Sequence, residues 1–232
     1  MKAVHRQRTI LCDLLGSLSQ EQWEAETLCD GWDAGDMVAH LLVRERQPWN
    51  SAGILVPALE KMHESAMAKK KEEGRTALTQ QLRDGPPWPL ARGPLGRIQV
   101  GEDYIHTEDI RRGGAATVSG EGAASLEPDD GTGDSETAGL LWEALKRFAT
   151  MTLGGLKAEG VISLTDGSKT RNVAVGGRLA TSTREMPPGA EVYTVTGPVG
   201  DLLLWVTGRS AANVETGGSL SLESALGRSR RV

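Results

Sequence analysis

Between Gly113 and Thr137 the chain is built almost wholly from Gly, Ala, Ser, Thr, Glu and Asp, with next to nothing a core could bury. Such a segment cannot offset the entropy lost on ordering with apolar burial, so it reads as a linker or mobile loop. The fold must then be assembled from what lies on either side, and 232 residues suffice for two small domains, each with its own core. Apolar residues recur at helical spacing before the break, and helical and alternating patterns mix after it. The expected organisation is a helical bundle over residues 1–112, a linker over 113–137 and a small α+β domain over 138–232, whose first helix could also pack on the bundle.

Ile10, Leu11, Leu14, Leu15 and Leu18 give the first helix an apolar stripe that ends near Ser19. Thr27 to Trp32 is rich in turn formers. Asp33 is placed to cap a second helix whose Met37, Val38, Leu41 and Leu42 face a core, with Pro48 near its end. A third helical stretch runs from about Pro57 into Lys69-Lys70-Lys71, breaks near Gly74 and resumes through Leu78 and Leu82. Gly85-Pro86-Pro87-Trp88-Pro89 enforces a loop. In the fourth helix Leu95, Ile98, Glu102, Ile105, His106 and Asp109 share one stripe, so three polar groups point inward with the apolar ones. These elements make a four-helix bundle. After the linker, Leu140 to Phe148 reads as helix and Val161 to Leu164, Asn172 to Val175 and Val192 to Val195 as strands. Pro198 opens a helix that stops at Gly208, and Val214 and Leu220 to Leu222 are expected to add strands.

Composition excludes several functions. A net charge of -5 and a pI near 5.5 argue against a broad nucleic-acid surface, which needs clustered Lys and Arg. The lysine run is followed at once by Glu72 and Glu73, the pattern of a solvated helix face. The longest apolar runs, such as Leu202 to Val206, fall far short of the roughly 20 residues that cross a bilayer. Met1 to Gln20 lacks the apolar core of a secretion signal. A cytoplasmic protein with no nucleic-acid or membrane partner is expected. Two cysteines, Cys12 and Cys29, are too few for a disulfide framework or a cysteine-built zinc site, so a metal would need His and carboxylate.

Glu102 and His106 stand four apart, which on a helix puts both side chains on one face within reach of one ion. His40 lies on another helix at the edge of its apolar face. An inward carboxylate without a partner costs several kcal/mol or protonates, so the pair asks for a compensating cation. Two His and one carboxylate leave a coordination position open, the arrangement of a catalytic zinc site. Asp109, three residues beyond His106, could orient an imidazole from behind. The same spacing also describes a solvated ion pair. His5 and His63 read as surface residues, and Cys29 as a small buried apolar one.

Thr27-Leu-Cys-Asp-Gly-Trp-Asp33 followed by Asp36-Met-Val-Ala-His-Leu41 resembles the signature of the DinB-like metalloprotein superfamily, in its actinobacterial branch related to mycothiol-dependent maleylpyruvate isomerase. Glu102-Asp-Tyr-Ile-His-Thr-Glu-Asp-Ile-Arg-Arg112 is similar to the second half of that signature, and Val195 to Arg209 to the sterol-carrier-like domain that follows these bundles. The resemblance implies that His40, Glu102 and His106 are metal ligands and that the thiol cosubstrate is mycothiol. The segment after Arg112 departs from the family pattern. The expected activity is a metal-dependent thiol transferase or isomerase acting on a small electrophile, with zinc, or nickel, as the divalent ion. Arg111 and Arg112 on the cofactor side and Arg209 on the catalytic side are candidates to hold a carboxylate, surface ion pairing being the alternative. Metal-assisted hydrolysis and non-enzymatic binding of a metal or small ligand are the competing activities. Either a monomer or a homodimer is compatible with the sequence.

Overall fold

The computed structural model describes residues 2–47, 60–86, 94–118, 126–177, 180–183 and 186–229, and the chain divides into two compact units, Met1–Pro128 and Asp129–Val232. Pro48, Pro57, Pro87 to Pro89 and residues 119–125 of the expected linker lie outside the described residues. The first unit is a helical bundle and the second a mixed α+β domain. No described helix is long and apolar enough to cross a membrane.

The bundle comprises α1 (Lys2–Ser17), α2 (Gln20–Glu24), α3 (Ala34–Arg46), α4 (Glu60–Lys71), α5 (Arg75–Arg83) and α6 (Pro94–Arg111). The periodic leucines of α1 meet Met37, Val38, Leu41 and Leu42 of α3, Leu78 and Leu82 of α5 and Ile110 of α6 in one core. Each such side chain contributes about 1.5–3 kcal/mol by leaving water. The one-turn helix α2 was not expected. It arises from a capping box, Ser19 Oγ accepting from Gln22 N at 3.1 Å while Ser19 N donates to Gln22 Oε1 at 2.9 Å. Arg75 then closes the end of α1, donating to the carbonyls of Leu15 and Leu18 at 2.8 and 2.6 Å with its guanidinium 4.8 Å from the Trp23 ring centre.

Asp33 caps α3 as the sequence predicts. Its carboxylate accepts from Asp36 N at 2.9 Å, the Asp36 carboxylate in turn accepts from Asp33 N at 3.2 Å, and Lys71 Nζ reaches both carboxylates at 2.7 Å. The start of the helix that carries His40 is therefore tied to the end of α4. The break before α5 falls at Gly74, whose φ of +84° suits glycine.

Charge is also buried in the bundle. Arg8 of α1 donates Nη1 to Glu45 of α3 at 2.9 Å and its Nε and Nη2 to Asp103 of α6 at 3.1 Å each, with a further bond from Nη2 to Glu45 and one from Nη1 to the Leu82 carbonyl at 3.2 Å. All three side chains are buried. One guanidinium thereby fixes the mutual register of three helices.

Within the segment whose composition suggests a linker, Gly114–Thr117 forms a 3-10 turn, and Ala115 and Leu126 join the bundle core. Gly113 permits a close approach, since a Cβ there would meet Asp109 O at 2.6 Å and Thr27 Cα at 2.9 Å.

The second unit begins with α7 (Ser135–Thr152), capped by Asp134, and continues through β1 (Gly160–Thr165), β2 (Thr170–Val175), β3 (Thr181–Thr183), β4 (Val192–Thr196), α8 (Val199–Val206), β5 (Glu215–Gly218) and α9 (Leu220–Ser229). The sheet order is β3-β2-β1-β4-β5, with β1 parallel to β4 and the other pairs antiparallel. Register aligns Ile162 with Val173 and Tyr193, and Leu164 with Val195, so the alternating apolar residues share one face. The strand expected at Leu220 to Leu222 is instead the first turn of α9, with Ser219 O accepting from Glu223 N at 3.0 Å.

Candidate metal centre

Three elements supply the site. His40 lies in the middle of α3, Glu102 and His106 one turn apart on α6, and His63 on α4. The ligand atoms of His40, Glu102 and His106 all lie within 4.8 Å of one another. His106 Nε2 is 3.6 Å from Glu102 Oε2, and the His40 and His106 rings meet edge to face with centres 5.5 Å apart. Trp32 packs on the other side of His40 with ring centres 5.1 Å apart.

Behind His106, Asp109 Oδ2 lies 2.9 Å from Nδ1 and accepts the Cys29 thiol at 3.3 Å. The Cys29 turn is held there by Leu28 N donating to the Asp109 carbonyl at 3.1 Å. Cys29, His106 and Asp109 form a second group of donor atoms within 4.8 Å. In that group one carboxylate oxygen already receives both other members, which is the geometry of a support. Among His40, Glu102 and His106 the His106 to Glu102 separation exceeds a hydrogen bond, and a cation would draw the three together.

Electrostatics separates the roles further. Burial, reinforced by the neighbouring His106, pushes the pKa of His40 down to about 3, so it is a neutral donor. Burial would raise Glu102, but His106, Arg44 and His40 outweigh it and bring that carboxyl down to about 2. Burial also opposes a charge on His106, yet Asp109, Cys29 and Glu102 hold its pKa well above the ordinary value. A neutral imidazole and an ionised carboxylate are the states in which these groups bind metal, and a divalent ion would replace the His106 proton as the local positive charge. The donor set therefore fits a divalent cation.

Two neighbours were not anticipated. Arg44 Nη1 lies 2.8 Å from Glu102 Oε2, so part of the positive charge that a buried carboxylate demands comes from the protein. Its place four residues after His40 on α3 is the signal that could have found it. His63, expected at the surface, is 7% exposed, and its Nε2 lies 3.1 Å from His40 Nδ1. Here the legible signal is the His63, Met67 spacing, an inward stripe within a charged helix. Cys29, expected to act as a small apolar residue, is half-buried and hydrogen-bonds Asp109.

The three arginines make local contacts of their own. Arg111 and Arg112 both turn onto the buried Glu108, at 2.9 and 2.8 Å. Arg209 follows α8 in the second unit and donates Nη1 to the Thr207 carbonyl at 2.8 Å.

Residues 4–111 match the family described as the mycothiol maleylpyruvate isomerase N-terminal domain. Among solved structures, the chain is similar to the crystal structure of the mycothiol-dependent maleylpyruvate isomerase and to that of a histidine-to-alanine mutant of it. Each has a TM-score of 0.50 at 12% identity over 93% of this chain and 90% of the other, a likeness of fold. No curated protein matches the chain. Residues 4–111 thus belong to the mycothiol maleylpyruvate isomerase N-terminal domain family, a DinB-like helical bundle.

Proposed function

We propose that this protein is a divalent-metal-dependent, thiol-cofactor transferase or isomerase acting on a small electrophilic metabolite, with His40, Glu102 and His106 as the metal ligands. The observation that carries the reading is the convergence of these three donors, from two helices, within 4.8 Å. Two imidazoles and one carboxylate leave a coordination position open, and zinc suits such a donor set, with nickel also compatible. Coordination to the ion lowers the pKa of a thiol, so that thiolate is present at neutral pH.

The chain's own groups prepare that site. Asp109 holds the His106 ring by Nδ1 and turns Nε2 toward Glu102. Arg44 keeps Glu102 ionised, and Trp32 covers one side of His40. Mycothiol is the proposed thiol, on the strength of the family to which residues 4–111 belong. Its thiolate would add to the electrophilic carbon of a double bond conjugated to a carbonyl, the π pair passing to that carbonyl as an enolate. The adduct then either takes a proton from water and stays as an S-conjugate, or rotates about the former double bond and re-forms it as the thiolate is expelled. Arg111, Arg112 and Arg209 are the candidates for a substrate carboxylate. A cytoplasmic location belongs to the same reading, because small-molecule thiols are kept reduced there.

Elemental analysis of the purified protein beside His40→Ala, Glu102→Ala and His106→Ala, followed by mycothiol titration of the metal-loaded form, tests the reading. About one metal per chain, lost in all three variants and perturbed by the thiol, is expected. A folded wild type that takes up no added zinc or nickel overturns it. Turnover independent of thiol would move the assignment to metal-assisted hydrolysis.

A further inference from the structure

His106 has a carboxylate behind it, and His40 has a histidine. His63 projects from α4 toward α3, buried on the same helix face as Met67, which packs against Ala39 and Val43 on either side of His40 in sequence. Its Nε2 is 3.1 Å from His40 Nδ1, and the two rings stand nearly perpendicular, at 87°, with centres 5.2 Å apart. At that distance one nitrogen must carry the proton and the other a lone pair.

We propose that His63 is a positioning residue of the metal centre: it accepts the Nδ1 proton of His40 and so leaves the His40 Nε2 lone pair for the cation. This rests on the metal-ligand reading above. A neutral imidazole has one proton for two nitrogens, and the hydrogen bond made by one nitrogen decides which of them can ligate. Without an acceptor at Nδ1 the proton is free to move to Nε2, which closes the ligand lone pair. Both imidazoles are then supported alike, each with Nδ1 engaged by a neighbouring side chain. The supports differ in kind: Asp109 brings a negative charge to His106, whereas His63 fixes His40 without adding one. His63 comes from a different helix than any of the three ligands, so the packing of α4 on α3 becomes part of the metal site.

Two measurements decide the matter. In the metal-free wild type, nitrogen-15 NMR of the imidazole rings reports the tautomer of His40, and the Nδ1–H form is expected. Metal affinity, read by competition with a chromogenic chelator, is expected to fall about 10–100-fold in His63→Phe, which keeps the ring volume but cannot accept. His63→Gln, whose amide oxygen can accept the same proton, is expected to recover most of that loss. A wild type with His40 protonated at Nε2, or His63→Phe binding metal as tightly as wild type while His40→Ala does not bind, overturns this proposal and leaves the ligand assignment standing. A wild type that takes up no metal overturns both.

Discussion

Asp109 Oδ2 stands 2.9 Å from His106 Nδ1 and receives the Cys29 thiol at 3.3 Å, so the group that orients the imidazole is itself fixed from outside the helix. Asp109 follows His106 by three positions on α6, which is why both sit on one face. Cys29 is 80 residues away in sequence and arrives through the turn before α3. The ring of His106 is consequently held by two elements, and its Nε2 is directed to Glu102.

Replacing Asp109 by Asn removes the charge but keeps the volume. The His106 ring loses its charged acceptor while the completely buried position stays filled. Metal affinity is expected to drop about 10–100-fold, measured by chelator competition, with the near-ultraviolet circular dichroism little changed. An affinity equal to wild type would remove Asp109 from the site.

Arg8 offers a test of how the bundle is held together. Arg8→Leu leaves Glu45 and Asp103 buried without their cation, and removing one partner from such a cluster costs about 3–5 kcal/mol. Urea denaturation of the variant should show that loss. The triple variant Arg8→Met, Glu45→Leu, Asp103→Leu exchanges all three charges for apolar volume, and its stability is expected to return to near the wild-type value.

At the start of α3 the cap and the ion pair make separable contributions. Asp33→Ala removes the acceptor for Asp36 N and is expected to cost about 0.5–2 kcal/mol in urea denaturation. Lys71→Met removes only the cation that bridges Asp33 and Asp36, a side chain 38% exposed, and should cost less than about 1 kcal/mol. The reverse order would mean that the tie to α4, rather than the cap, sets where α3 begins.

The elements that local chemistry specifies were legible. Asp33 caps α3, the polar stripe of α6 faces inward, and alternation gives β1, β2 and β4. Glu102 and His106 could be paired because one helix carries both. His40 could be joined to them only through the resemblance, since no periodicity relates α3 to α6. Arg8, Glu45 and Asp103 escaped altogether: their pairing spans up to 95 residues, and each alone looks like an ordinary surface charge. His63 was obscured by the lysines and glutamates around it, although its spacing to Met67 marks the buried face. β3 was missed because Thr181–Thr183 is a three-residue edge strand with almost no apolar content to reveal it.

Leu220 and Leu222 carry the last test, because their alternation suggests a strand and the structure makes them part of α9. Two residues apart in a strand would share a face and a fate. In the helix they point about 200° apart, and the exposures follow: Leu220 is 78% exposed and Leu222 is 0% exposed. Leu222→Ala is therefore expected to cost about 2–5 kcal/mol and Leu220→Ala no more than about 0.5 kcal/mol, both by urea denaturation. Equal costs would restore the strand, and with it a different closure of the sheet beyond β5.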